Sequence, residues 1–114
     1  MFITEKGYEE LTPLQKKRIC NGAGARNDWR SAFIPNTIYG LDCTEVFNVH
    51  DYAYHIGKTI DDKKRADFDM LRNLITLINS TGNIFTRWLR RIRAIDYYNA
   101  VSEFGDAAFF MDKK

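Results

Sequence analysis

The sequence lacks any apolar run long enough to cross a bilayer, and its first 15 residues have no apolar core of signal-peptide length. It therefore predicts no transmembrane segment, and it leaves open a cytoplasmic location or secretion after processing. An excess of charge of one sign is also absent, since the net charge is only +2. No nucleic-acid partner is therefore expected from overall electrostatics, and such a role would need a local basic patch.

Cysteine is scarce, because Cys20 and Cys43 are the only two. This number excludes a disulfide-dense scaffold and leaves one bridge or two reduced thiols open. The two cysteines could join His50 and His55 in a zinc site, but their order lacks a short paired-ligand spacing, which argues against zinc. A chain of 114 residues with 45% hydrophobic content fits one domain, spanning residues 1–114.

Internal repeats and low-complexity segments are absent as well. Residues 1–11 form a polar lead-in, and "TPLQKKRI" predicts a short helix with Thr12 as its N-cap and Pro13 at its first position. Residues 20–42 have no helical periodicity and contain four residues typical of loops: Gly22, Gly24, Pro35 and Gly40. Apolar residues within this loop indicate that it packs, and it could contain a short hairpin.

Three helices are predicted after the loop, so the fold class is all-α. The first begins with Thr44 as its N-cap and ends at Gly57, a residue typical of helix ends. The second covers residues 61–79 and is ended by "NSTGN". The third covers residues 84–104 and ends before Gly105.

The second of these helices carries an apolar stripe at helical spacing, consisting of Met70, Leu71, Leu74, Leu77 and Ile78. Stepping back by three or four residues places Asp67 on this stripe, aimed into the interior, where a carboxylate needs a partner. Asp69 falls instead with Asn73 and Thr76 on the polar face, which predicts a solvated charge. An ordinary structural role for Asp67, pairing with an Arg or Lys, stays open.

The helix before it offers a catalytic partner for Asp67. Its apolar face includes Val46, Val49, Ala53 and Tyr54, and His50 lies on the same face. If the two helices pack antiparallel, His50 and Asp67 can meet, and a histidine held by an aspartate is a general base of fixed tautomer. Asp51 lies about 100° round the helix from His50, so both can border one cleft.

Several segments together resemble the phospholipase A2 superfamily, in its short prokaryotic and fungal branch. "NVHDYAYHIG" resembles the family's His-Asp helix, "KKRADFDMLRNLI" its second helix, and "YYNAVSEFG" its third-helix signature. "NGAG" followed by "IPNTIYGLD" is similar to the calcium loop and its connection. The resemblance covers most of residues 20–108, and it implies two antiparallel core helices with a His/Asp dyad, a third C-terminal helix and a glycine-containing metal-binding loop.

The resemblance implies a role for each matching residue. His50 corresponds to the histidine that activates the attacking water, and Asp67 to the aspartate that orients it. Asp51 corresponds to the carboxylate ligand of a calcium ion. The loop carbonyls of Asn21, Gly22 and Gly24 correspond to further calcium ligands, with Asp42 as a less favoured ligand or a helix cap. Three tyrosines could support the dyad or simply fill the core: Tyr54, Tyr97 and Tyr98.

One departure from the family concerns its disulfide. Relatives often join a cysteine in the calcium loop to one just before the His-Asp pair, and this chain has Ala23 and Phe47 at those places. Cys20 and Cys43 lie near the two ends and could substitute for that bridge.

The third helix carries a basic cluster in "TRWLRRIR", with Trp88 among Arg87, Arg90, Arg91 and Arg93. Basic and aromatic groups suit anionic lipid headgroups, and arginines also suit nucleic-acid phosphates. Charge on an amphipathic helix normally faces water, which favours a solvated basic face with Trp88, Ile92 and Ile95 in the core.

The resemblance implies a hydrolase of lipid degradation. Such an enzyme would cleave the sn-2 ester of a glycerophospholipid at a membrane or micelle surface, with calcium as cofactor and a water activated by His50 and Asp67. Two alternatives stay open: a catalytically inactive binding protein of the same fold, and a helical module that binds acidic partners through residues 87–93.

Overall fold

The computed structural model describes residues 2–20 and 37–110, and the described chain is mostly helical, as the sequence predicts. Its helices are α1 (Pro13–Cys20), α2 (Thr44–Ile56), α3 (Ile60–Asn79), α4 (Ile84–Phe104) and α5 (Asp106–Phe110). A 3₁₀ turn at Tyr8–Glu10 precedes α1, and two short strands, β1 (Thr37–Ile38) and β2 (Leu41–Asp42), precede α2. Crossing a bilayer needs a longer or more apolar helix than any found within these described ranges.

Side-chain caps define the beginnings of three helices. Thr12 Oγ1 accepts a hydrogen bond from the Gln15 N–H, so Thr12 caps α1 as predicted. Thr59 and Asp62 form a reciprocal capping box, which begins α3 at Ile60, one residue earlier than the sequence predicted. Asn83 and Thr86 form a similar box at the start of α4, whose predicted bounds are confirmed.

The predicted cap of α2 is wrong by one residue. Cys43 occupies the N-cap position and makes no side-chain capping bond there. Asp42 supplies the bond instead, because its Oδ1 accepts from the Thr44 N–H at 2.9 Å and from the Thr44 hydroxyl at 2.6 Å. Asp42 therefore serves the helix start, the second of the two roles considered for it.

The short hairpin that was considered for the loop over residues 20–42 is present at the C-terminal end of that loop. β1 and β2 pair antiparallel across a two-residue turn, with φ of 46° at Tyr39 and 81° at Gly40. Positive φ at both positions is characteristic of the tightest hairpin turns. Arg90 of α4 secures this turn by donating to the carbonyls of Ile38 and Tyr39.

The three long helices pack in an antiparallel row around the main core. Phe47 near the start of α2 packs with Met70 and Leu74, whereas Tyr54 near its end packs with Ala66. Along α3 and α4, Asn79 bonds Arg91 while Lys63 bonds the carbonyl of Val101. In each pair of neighbouring helices the start of one helix therefore lies beside the end of the other, which makes the pair antiparallel. Because α3 contacts both α2 and α4, it lies between them.

The predicted solvated positions on α3 are partly wrong, because the N-terminal segment covers them. Asn73 is buried, and its side-chain amide bonds both the N–H and the carbonyl of Ile3. Asp69 is half-buried, and this burial, followed by the charge of Glu5, raises its pKa. The polar lead-in is thus part of the packed structure, with Tyr8 buried and its hydroxyl bonded to Glu45.

Helix α5, which follows Gly105 directly, was not predicted from the sequence. Its Phe109 is completely buried and packs against Gly57, where an added Cβ would lie 2.8 Å from the phenyl ring. Gly57 therefore permits a close approach between α5 and the connection from α2 to α3.

Candidate active site

The structure places His50 and Asp67 in direct contact. The Nε2 atom of His50 lies 2.8 Å from Oδ1 of Asp67, and the two side chains are only 0% and 2% exposed. His50 comes from the middle of α2 and Asp67 from the second turn of α3, so the antiparallel packing of these helices brings them together. A short hydrogen bond shielded from water holds the imidazole in one orientation and defines its tautomer.

Tyr54 supports this pair, as one of the three tyrosines considered from the sequence. Its hydroxyl donates to the same Oδ1 atom of Asp67 at 2.7 Å, and its ring lies against the imidazole with 4.2 Å between ring centroids. Position i+4 on α2 makes this possible, because it places Tyr54 one turn beyond His50. Tyr54 therefore fixes both members of the dyad.

Lys63 is the Lys partner that the structural alternative for Asp67 anticipated, although the sequence did not identify which residue it would be. Its ammonium group lies 2.7 Å from Oδ2 of Asp67 and is 2% exposed. It also donates to the carbonyls of Val101 and Ser102 and lies 3.1 Å from Asp106. Lys63 precedes Asp67 by four residues on α3, so the helical spacing that placed Asp67 on the inner face could also have identified Lys63.

The environment keeps Asp67 ionised. Burial is the largest single influence and raises its pKa, but the hydrogen bonds from His50, Lys63 and Tyr54, together with the charge that His50 carries when it is protonated, lower it by more. The net result is a pKa of Asp67 below its ordinary value of 3.8. The carboxylate is therefore available as a permanent acceptor for the imidazole at neutral pH.

This lowered pKa makes a prediction for acid stability. A carboxyl with a lower pKa in the folded state stabilises the fold above its unfolded pKa, and that stability is lost as pH falls through the folded value. The free energy of unfolding should therefore fall below about pH 4 in the wild type, and less steeply in Asp67→Asn. Urea unfolding at a series of pH values measures both slopes.

Asp69→Asn is the matched control for this measurement. Because the pKa of Asp69 is raised, protonation of its carboxyl favours the folded state as the pH falls. Asp69→Asn removes this stabilisation, so the free energy of unfolding should fall slightly more steeply in acid than it does in the wild type. Parallel curves for the wild type and Asp67→Asn would contradict the assignment of the acid-sensitive group to Asp67.

A cavity of about 400 Å³ reaches the dyad from the carboxylate side. Its lining residues come from α3, α4 and α5 and are Ile60, Lys63, Lys64, Asp67, Tyr98, Ser102 and Asp106. Tyr98 thus borders the cavity, whereas Tyr97 is buried in the main core with the Arg93 guanidinium over its ring. Among the described residues neither tyrosine hydrogen-bonds the dyad, so the core-filling role considered for them applies to Tyr97.

Asp51 is a buried carboxylate, 8% exposed, on the helix that carries His50. The other calcium ligands suggested by the resemblance, at Asn21, Gly22 and Gly24, lie outside the described residues. Within residues 2–20 and 37–110, no group of three or more His, Cys, Asp or Glu side chains could hold a metal ion. A buried carboxylate oxygen has the donor chemistry that calcium takes, so the residue type and burial of Asp51 fit a ligand role.

Cys43 is a buried free thiol, so it does not provide the bridge considered in place of the family disulfide. The side chain of Cys20 lies outside what the structure describes. Burial, followed by the charge of Asp42, raises the pKa of Cys43 to about 11. Cys43 is therefore protonated at neutral pH and acts as a small core residue.

The favoured prediction for α4 is wrong in placing three apolar side chains in the core. Trp88, Ile92 and Ile95 are 54%, 41% and 48% exposed, so they do not lie in the core. The helix instead buries Ala94, Tyr97 and Val101, which lie on its opposite side. The inner face of α4 is consequently the side that contacts α3, and Trp88, Ile92 and Ile95 lie outside it.

Comparisons with protein-family models, with curated proteins and with solved structures gave no match.

Proposed function

We propose that this protein is a calcium-dependent phospholipase A2-like hydrolase that cleaves the sn-2 ester of glycerophospholipids. The observation that carries the proposal is the buried 2.8 Å contact between His50 and Asp67. The helical row that holds the dyad, with a hairpin leading into α2, is compatible with the phospholipase A2-like fold that the sequence resembles. The substrate would be a phospholipid at a membrane or micelle surface.

The dyad has the features of a general base. Because an ionised carboxylate can only accept, Nε2 of His50 carries the proton in its contact with Asp67, and in the neutral imidazole the lone pair is then on Nδ1. In the proposed reaction Nδ1 takes a proton from a water molecule whose oxygen attacks the sn-2 carbonyl carbon. When the tetrahedral intermediate collapses, the sn-2 C–O bond breaks and His50 returns the proton to the departing alkoxide. The products are a fatty acid and a lysophospholipid, and no covalent acyl-enzyme is required.

Asp67 would stabilise the imidazolium that forms during this cycle. Its carboxylate already receives bonds from Tyr54 and Lys63, so it need not reorganise when His50 becomes charged. The buried surroundings strengthen the charge interaction between the two groups. A calcium ion bound at Asp51 would supply positive charge beside the ester carbonyl and the phosphate.

Calcium dependence provides the direct test of this proposal. The wild type should release fatty acid from phospholipid micelles in calcium of about millimolar concentration, the range of weak extracellular sites, and not in a chelator. Asp51→Asn should weaken calcium binding, measured by calorimetry, by about tenfold or more, because it removes a charged oxygen ligand. Fatty-acid release should fall in parallel.

Asp42→Asn is the matched control, since it changes another carboxylate next to α2 that is exposed and serves as a cap. Its calcium affinity should equal that of the wild type. No release of fatty acid by the wild type at saturating calcium would sink the enzyme proposal.

A second candidate is a catalytically inactive binding protein with the same fold. The contact between Lys63 and Asp67 favours it, because a buried Lys–Asp pair is a structural reason to keep Asp67 without catalysis. Intact calcium binding without fatty-acid release would support this candidate. The acidic-partner module, the other alternative, would bind in a salt-sensitive way that is indifferent to His50→Gln.

A further inference from the structure

An exposed apolar stripe runs along the first half of α4. We call it the outer face of α4, and it consists of Ile84, Phe85, Trp88, Ile92 and Ile95. Spacings of four, four and three residues from Ile84 keep these side chains on one side of the helix. Ile84 and Phe85 are 83% and 65% exposed, so the stripe is most open at the start of the helix. A contiguous exposed apolar patch of this kind marks an interaction surface.

Positive charge borders the same stripe. Residues 84–95 contain four arginines and no acidic residue, and the first acidic residue of α4 is Asp96. Arg87 donates to the Thr81 carbonyl and Arg91 to the Asn79 side-chain oxygen, both neutral acceptors. Among the described residues, only Arg93 of this group has a carboxylate nearby, 3.8 Å away on Asp96. Arg90 points to the other side of the helix, where it holds the hairpin turn. The positive charge of Arg87 and Arg91 is therefore the part that is available to an anionic partner beside the stripe.

We propose that the outer face of α4 docks the protein on an anionic lipid bilayer. Apolar and aromatic side chains with flanking arginines match the boundary between acyl chains and anionic headgroups. Phe85 and Trp88, with ring centroids 6.4 Å apart, provide an aromatic pair at that boundary. The inference rests on the proposed function only in that a phospholipid substrate lies in a lipid surface, and the docking itself requires no hydrolysis.

Two other occupants fit the outer face less well. A second copy of this chain would bring two sets of arginines together, and like charges across an interface oppose association. A nucleic acid would satisfy the arginines through its phosphates but would leave the isoleucines in water. The lipid surface is the partner that satisfies both the charge and the apolar stripe.

The outer face is well separated from the dyad. Lys63 binds Val101 and Ser102 near the other end of α4, and Trp88 lies 13 residues before Val101, roughly 20 Å along the helix. Substitutions on the outer face therefore leave the dyad in place.

The test measures sedimentation of the full chain with vesicles in a chelator, so that calcium-dependent hydrolysis does not interfere. The wild type and His50→Gln should both bind vesicles containing about 30% phosphatidylglycerol. Both should bind pure phosphatidylcholine vesicles at least about tenfold more weakly. The double variant Phe85→Ala/Trp88→Ala should bind anionic vesicles at least about tenfold more weakly, because it removes two interfacial aromatic rings.

Two controls separate docking from loss of structure. Arg87→Gln/Arg91→Gln should lose about tenfold in binding, whereas Arg87→Lys/Arg91→Lys, which loses the same guanidinium bonds but keeps the charge, should bind nearly as the wild type does. Leu14→Ala, an exposed apolar site on α1, should have no effect. Wild-type binding that ignores lipid charge, or that appears with duplex DNA but not with vesicles, would overturn the proposal. Failure of docking alone would leave hydrolysis in micelles intact.

Discussion

His50→Gln is expected to reduce fatty-acid release by about 10²- to 10⁴-fold, the range over which a positioned general base contributes. Glutamine can still donate a hydrogen bond to Asp67 from a similar position, so the fold should be retained, but it cannot accept a proton at neutral pH. The measurement is kcat/KM on a micellar phospholipid at saturating calcium. The loss should fall mainly on kcat, because the proton transfer takes place in the transition state.

The chain supplies its own control in His55, its second histidine, which is exposed near the end of α2. His55→Gln should leave kcat/KM within about twofold of the wild type, since surface substitutions away from such networks have small effects. Tyr54→Phe should produce an intermediate loss, because it keeps the ring against the imidazole but removes the bond to Asp67. Equal activity in His50→Gln and the wild type would show that another group is the base.

Lys63→Met is expected to produce the largest loss of stability, about 3 to 5 kcal/mol. Methionine keeps an apolar side chain of similar length, but it leaves Asp67 Oδ2 without its cation and the carbonyls of Val101 and Ser102 without their donor. For a chain of this size the midpoint of thermal unfolding should fall by about 12 to 20 °C. Thermal and urea unfolding followed by circular dichroism measure the change.

Lys64→Met is the matched control, because the neighbouring lysine on α3 is exposed. It should change the free energy of unfolding by no more than about 0.5 kcal/mol. If the two variants unfold alike, the buried network around Lys63 contributes nothing to the stability of the fold.

The main helices and the position of the dyad residues could be predicted because both depend on local periodicity. Asp67 lies one turn before Met70 on a stripe that any helix over this segment would present inward, and His50 follows from the same rule on α2. The antiparallel packing needed to bring them together is favoured by the three-residue connection between α2 and α3.

Other features could not be predicted because they depend on distant parts of the chain. The helical spacing places Asn73 on the polar face, but the backbone of Ile3, 70 residues earlier in the chain, covers it and bonds its side-chain amide. On α4 two stripes compete for the core, and size alone favours the one with Trp88. The stripe with Ala94 is buried instead, because a small residue allows α3 and α4 to approach closely.

Phe109 has a consequence for the order in which the site is assembled. Its ring packs edge-on against Tyr54 at 5.2 Å and covers Gly57, so it completes the surroundings of a tyrosine that bonds the dyad. A ribosome adds residue 109 long after His50, Tyr54 and Asp67 have been made. The helices α2 and α3 can therefore pair early during synthesis, but the apolar wall behind the dyad closes only when the last described helix has emerged and docked.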